Sequence, residues 1–478
     1  MRVFSPGGST VGIPAPEIDW TRSRVLLVAA MTTLSLLAIA SAQAVDEGSK
    51  AAVVLPLAIG AGLLLALLAV SRFQIFVLLA LGIRSSLDLA KLSRTDSASR
   101  ALDPASILAV LFLMAGLLWL AAQYRARGEL AGSRLRSSFL FFLTACFLST
   151  MGSGDPASSL LESLRIASVI MMFVVVEQVC RDVRRMRQVL AAIFVSAVLP
   201  LLLTAFGYMS GTQRWEEKGG FTRILGSFNQ SNEFGRYLML LIIMGVAIYP
   251  VVHGRTRRAL AVVIIGTAAC LIPTYTRTAL LGTAIGLLVV AFVYNRKAVL
   301  GVLAVAALAW LLVPSLSDRF SDGNNAVGDG PEGTHSSLSW RLDYWGEVLP
   351  LARQNPLTGV GLGETEHLTA NQQPPHNDFV RAYVEIGILG LLAYLLLLWR
   401  LVSTGRRAVR AAPTGTFDRG VATGFLGSAV AFVAVSTVAN VFSNVVTLWY
   451  FSAFAAAAAA VLRRRTAGGT RALEASWR

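Results

Sequence analysis

His376 stands in Pro374-Pro375-His376-Asn377-Asp378, directly before an apolar run, and is one of four histidines in 478 residues. An imidazole at the mouth of such a run suits a general base, because it exchanges protons near neutral pH. The bland alternative is a solvated loop histidine. His335 and His367 lie in the same loop and are weaker candidates, and His253 reads as a loop residue on the opposite side. Four arginines accompany His376. Arg223 precedes Gly226-Ser227-Phe228-Asn229-Gln230-Ser231-Asn232, Arg277 sits in Thr274-Tyr275-Thr276-Arg277-Thr278, Arg341 follows Ser339-Trp340, and Arg381 lies one turn past Asn377. A guanidinium stays charged and grips phosphate through a fork of N–H donors. Arg223 fits either a phosphate contact or a salt bridge to Glu216 or Glu217. Arg381 has Glu385 four residues on, on one helical face, so these two also fit an internal pair. Four arginines beside one imidazole are what an outward-facing diphosphate site needs.

The elements that must hold these residues are membrane-crossing helices. The chain is 55% hydrophobic and 14% charged, with a net charge of +15, and its mean hydropathy is +0.63. Its apolar residues come in runs of roughly 18–24, the length that crosses a hydrocarbon core of about 30 Å. Fourteen such runs are expected, at about 24–43, 51–70, 73–92, 104–122, 137–152, 157–178, 188–207, 234–252, 259–275, 277–294, 297–315, 379–399, 421–440 and 444–462. The first ends in Ser41-Ala42-Gln43-Ala44, which looks like a signal-peptide cleavage site; a retained first helix is the favoured reading. Basic clusters flank the runs, a pattern of cytoplasmic loops that argues for a bilayer and against nucleic acid. With the N-terminus inside, every even connection is basic, as at Arg181, Arg184, Arg185 and Arg187, and the tail with Arg463, Arg464 and Arg465 is also inside.

Five segments follow: a cytoplasmic N-terminal tail (1–23), a helical bundle (24–315) with an outer loop near 208–233, a large extracytoplasmic loop (316–378), C-terminal spans (379–462) and a basic cytoplasmic tail (463–478). The Gly-, Asn-, Asp- and Pro-rich stretch at 322–333 reads as disordered. Residues 339–349 carry aromatic and apolar residues at helical spacing and predict an amphipathic helix near the membrane surface. Within the runs, Arg84 with Asp88 and Glu162 with Arg165 have the spacing of helix-face pairs. Cys146, Cys180 and Cys270 form no CxxC and support neither a disulfide framework nor a zinc site. There is no Walker A, HExxH or DxD motif and no nucleotide-sugar domain. If the chain is a glycosyltransferase, its donor is not a cytosolic nucleotide sugar, and an energised carrier lipid is the natural substitute.

Four segments give the chain a family likeness: Arg223 through Asn232; Thr276-Arg277-Thr278-Ala279-Leu280-Leu281-Gly282; Ser339 through Trp345 followed by Asn355-Pro356-Leu357-Thr358-Gly359-Val360-Gly361-Leu362-Gly363; and His376-Asn377-Asp378-Phe379 running to Glu385-Ile386-Gly387-Ile388-Leu389-Gly390. In order and topology the chain resembles the O-antigen ligase and O-antigen polymerase family over roughly residues 190–400. The resemblance implies an all-α polytopic fold of the GT-C type, with about a dozen spans in the family against 12–14 here, and a large extracytoplasmic loop between two late helices. It implies metal-independent, inverting transfer of a glycan from undecaprenyl diphosphate to an acceptor hydroxyl, with no cofactor. By matching positions, His376 is the base, Arg223 and Arg341 hold the diphosphate with Arg277 nearby, and Asn232, Asn377, Arg381 and Glu385 support them. Implied partners are the lipid-linked glycan, an acceptor glycan or glycolipid, the bilayer, a flippase and a chain-length regulator. The motifs leave ligase against polymerase open, and a lipid-linked glycan transporter that makes no bond is the competing class. Against that class, no Gly- or Pro-broken spans recur in two equivalent halves.

Overall fold

The computed structural model describes residues 50–90, 104–130, 132–218, 221–312, 337–370 and 372–476. The expected first span, His335 and the stretch at 322–333 lie outside them. The chain divides into two compact units, Met1–Phe76 and Val77–Arg478. The first holds α1 (Lys50–Ser71) and the start of α2 (Phe73–Ile83). The second holds the remainder.

In the second unit the helices are α3 (Pro104–Arg127), α4 (Arg134–Ser149), α5 (Pro156–Val179), α6 (Val183–Val195), α7 (Val198–Ser210), α8 (Ser231–Ile248), α9 (Gly254–Leu271), α10 (Arg277–Tyr294), α11 (Arg296–Leu312), α12 (Ser337–Val348), α13 (Thr365–Leu368), α14 (Asp378–Ala411), α15 (Phe417–Ser436) and α16 (Val445–Ser476). Ten helical stretches among the described residues are long and apolar enough to cross a membrane. The protein is a multi-pass α-helical membrane protein.

One sequence expectation needs correction, and two segments gain secondary structure. The run at 73–92 is not one continuous span, because helix gives way to a 3-10 segment at Arg84–Ala90. The outer loop near 208–233 contains a two-stranded antiparallel hairpin, β1 (Trp215–Lys218) and β2 (Phe221–Ile224). The basic tail after residue 462 continues α16 as helix to Ser476. The division between the spans at 259–275 and 277–294 is real: a 3-10 turn at Ile272–Thr274 and Tyr275, at φ 46°, separate α9 from α10.

Local chemistry sets the helix starts. Asp155 accepts from the amides of Ala157 and Ser158, with Pro156 in the first turn, where its missing N–H costs nothing. Asp182, Thr416 and Asn377 cap α6, α15 and α14 in the same way. α8, α15 and α16 are enclosed by other helices, whereas α9 turns Val262 and Ile265 outward, as a lipid-facing helix does. α16 carries an alanine-rich stretch at residues 454–461 that is fully buried against α5 and α14, since small side chains let helices approach closely.

α14 is broken at Gly387 (φ 73°, ψ −171°), and residues 356–361 fill the break. Val360 and Gly361 donate to the carbonyls of Val384 and Glu385 at 3.0 Å each, and Ile388 donates to the Pro356 carbonyl at 2.9 Å. Backbone groups released by the interruption thus find partners in protein, the condition for irregular backbone at membrane depth. A Cβ on Gly387 would lie 2.3 Å from the Leu357 carbonyl oxygen, and one on Gly359 would lie 2.3 Å from the Glu385 carbonyl carbon. Two motif segments distant in sequence are therefore one structural joint, and their glycines exist for that approach.

Candidate functional site

The predicted residues gather in two groups. The first is built on the hairpin. Arg223 on β2 lies opposite Glu216 on β1 and is buried. Glu216 turns its carboxylate to the start of α8, accepting from the Ser231 amide at 2.9 Å and the Ser231 hydroxyl at 2.7 Å, where the helix dipole favours an anion. Ser227 donates to the Ser85 carbonyl at 2.7 Å. Phe228 packs on Phe234 and Tyr237, with ring centroids at 5.3 and 5.2 Å. The Thr276 hydroxyl reaches the Ser231 carbonyl at 3.2 Å and Asn232 Oδ1 at 3.4 Å, and Arg277 follows as the first residue of α10. Phe221 and Tyr275 close the contact between hairpin and turn at 5.1 Å. Arg223, Asn232 and Arg277 thus sit on three joined elements.

The second group is built on α12 and the start of α14. Trp345 donates through Nε1 to the Pro375 carbonyl at 2.7 Å. The Tyr344 hydroxyl bonds Thr369 Oγ1 at 2.7 Å and the Gln373 carbonyl. Burial pushes the Tyr344 phenol above its ordinary pKa, so it remains a donor. Tyr344 and Val348 pack with Val360 and Val384. A helix is present at the expected place as α12, and it pins the segment leading to His376. Arg341 lies one turn before Tyr344 and Trp345, on their face. His376 adopts a left-handed backbone at φ 52° and is half-buried, immediately before the α14 cap. Asn377 is that cap, accepting from the Phe379 and Val380 amides at 2.9 and 3.2 Å.

Arg381 and Glu385 form a buried ion pair at 2.7 Å, and the guanidinium lies 4.8 Å from the Phe442 ring centroid. Glu385 also accepts from the Gly363 amide at 2.8 Å and the Thr365 hydroxyl. This pair anchors the glycine-rich loop beside the histidine. Ser153 donates to Glu364 at 3.0 Å, and Asn355 donates to the Gly152 carbonyl at 3.1 Å, so the α4–α5 turn holds the same loop. His367 in α13 and His253 before α9 are both exposed. Arg84 and Asp88 do pair, at 3.6 Å, as do Arg165 and Glu162.

A turn that sequence reasoning missed joins the two groups. Arg236, one helical turn past Asn232, donates to the Asn440 carbonyl at 3.2 Å. The next residue, Val441, donates to the Asp378 carboxylate at 2.9 and 3.1 Å. Asp378 lies two residues past His376 and also accepts from the Phe442 amide at 3.4 Å and the Tyr394 hydroxyl at 3.0 Å. The α15–α16 turn therefore ties the arginine-bearing start of α8 to the histidine-bearing start of α14. An arginine inside the run at 234–252 was the available signal, since intramembrane ionisable residues are functional candidates by default.

Residues 259–395 match the family model described as O-antigen ligase, a stretch that contains Arg277, Arg341, His376, Arg381 and Glu385. The chain is also similar to the exopolysaccharide production protein ExoQ of Rhizobium meliloti (strain 1021), with 26% identity over 281 residues, 54% of this chain and 62% of that protein. The likeness thus spans less than two thirds of that relative's length. The O-antigen ligase match falls on the stretch whose motif segments meet at one joint, and both likenesses are to proteins of polysaccharide biosynthesis.

Proposed function

We propose that the protein is a glycosyltransferase that moves a glycan from undecaprenyl diphosphate to an acceptor hydroxyl on the outer face of the inner membrane. The observation that carries this reading is the turn linking Arg236 to Asp378, which draws the group of Arg223, Asn232 and Arg277 toward that of Arg341 and His376. In this reading that end of the bundle faces the extracytoplasmic side and both termini lie in the cytoplasm, which the distribution of basic clusters supports.

In this reading His376 takes the proton of the acceptor hydroxyl, and the acceptor oxygen bonds to the anomeric carbon with inversion. The bond from that carbon to the diphosphate oxygen breaks, and the electron pair leaves with the diphosphate. Arg223 and Arg341, with Arg277 nearby, hold that leaving group. Fixed cations that meet developing charge lower the barrier without reorganising. Asn377, Arg381 and Glu385 keep the imidazole's loop in place. No metal is required by this scheme. A growing polysaccharide is the favoured acceptor over a lipid A core, and the likeness to an exopolysaccharide production protein supports that choice. A flippase that supplies the donor and a regulator of chain length are the partners this role calls for.

The test uses purified protein with a lipid-linked glycan donor, with and without acceptor. Wild type should consume donor and lengthen or transfer the glycan. His376→Ala should lose at least about 100-fold, the typical share of a general base, and Arg223→Ala should also abolish transfer, both with expression retained. Full activity in either mutant overturns the assignment. Donor movement across proteoliposomes without bond formation favours a transporter instead.

A further inference from the structure

We propose that Arg236, with the side-chain amide of Asn440, is a further anion contact for the carrier's diphosphate, additional to Arg223, Arg341 and Arg277. The inference rests on the donor reading above, and three observations carry it.

The first is the pairing of Arg236. Three buried or part-buried guanidiniums sit against carboxylates: Arg84 at 3.6 Å from Asp88, Arg381 at 2.7 Å from Glu385 and Arg463 at 3.7 Å from Glu177. Among the described residues Arg236 forms no such ion pair, although it is only 8% exposed. Its hydrogen-bond partner is a neutral carbonyl, that of Asn440, and its Nε has none. The charges of Glu233 and Asp378 reach it only at longer range. Asp378 is moreover committed to Val441, Phe442 and Tyr394. A buried cation without a close counter-charge is costly, and an incoming oxyanion supplies what is missing.

The second is Asn440. It too is 8% exposed, and both Nδ2 and Oδ1 lack a partner. A buried amide left unsatisfied on both atoms carries a desolvation penalty that an apolar residue would avoid. One donor and one acceptor beside a guanidinium suit a phosphate oxygen and a neighbouring sugar hydroxyl.

The third is position. Arg236 lies one turn past Asn232, and the residue after Asn440 holds Asp378, so the pair stands where the two site groups join. Asn440 Nδ2 and Oδ1 and Arg236 Nε are covered by protein, so engagement requires a displacement of the turn at 437–444.

The experiment measures inorganic pyrophosphate binding to full-length protein in detergent by calorimetry, with thermal melting in parallel. Wild type should bind. Arg236→Gln should weaken binding at least tenfold, with Arg236→Lys recovering part of it, and neither should melt lower than wild type. Asn440→Leu should weaken binding several-fold while melting at or above the wild-type temperature, because an unsatisfied amide is removed. A wild type that binds no pyrophosphate, or variants that bind it as wild type does, overturns the proposal. So does a lowered melting temperature with binding intact, which marks a structural role. Glycan transfer by the same samples is read separately. If wild type binds pyrophosphate through Arg236 yet consumes no lipid-linked glycan, the functional reading fails while the anion contact stands.

Discussion

The two ends of α15 treat arginine in opposite ways. At its start, Asp418 receives Arg464 at 2.8 Å and Arg465 at 2.7 Å, while Arg463 pairs with Glu177 at 3.7 Å. Past its other end, about 30 Å away for 20 residues at ~1.5 Å each, Arg236 is met by one backbone carbonyl. The first arrangement neutralises charge within the protein and fastens α16 to α5 and α15. The second leaves a buried guanidinium without a close carboxylate. Arginine number alone, which the sequence supplies at both ends, does not separate a structural cluster from a binding one; the partners do.

The comparison can be broken at either end. The largest effect is expected at the joint behind His376. Gly387→Ala places a side chain in backbone space essentially reserved for glycine, with its Cβ 2.3 Å from the Leu357 carbonyl oxygen. It should cost about 3 kcal/mol or more and lower both melting temperature and transfer; melting in detergent and donor consumption check this. At the far end, Asp418→Asn leaves Arg464 and Arg465 without their carboxylate. Breaking a buried pair costs ~3–5 kcal/mol, and the partial exposure of these arginines reduces that to about 2 kcal/mol. Melting should fall while the turnover of folded protein holds, a split that a binding role for this cluster would not give. The smallest effect is expected from Asn377→Ala, which removes a helix cap worth ~1 kcal/mol and loosens His376 by one residue. A melting shift with a larger fall in turnover sharpens the contrast, and a melting shift alone blurs it.

Most of the helical plan was legible because crossing a bilayer demands long apolar runs, and the runs near 104–122, 157–178, 234–252 and 421–440 each became a helix. The hairpin was not legible. Trp215 through Ile224 has mixed polarity over ten residues, too little for a strand period to stand out. Nor was the break at Gly387, since a single glycine in an apolar run reads as tolerated helix. Arg381 and Glu385 were legible as neighbours on one face. That Glu385 holds Gly363 and Thr365 across a loop was not, because those partners are 20 or more residues away from it.

The sequence by itself determined a polytopic helical membrane protein, the family motifs, and a set of arginines and one histidine on shared connections. Hydrophobic length and charge placement are local properties that each stretch carries alone. Only the tertiary structure decided that the glycine motifs form one joint and that the turn at residues 437–444 binds Arg236 and Asp378 together. These facts depend on which distant backbone groups meet, and chain order does not encode that in any single stretch.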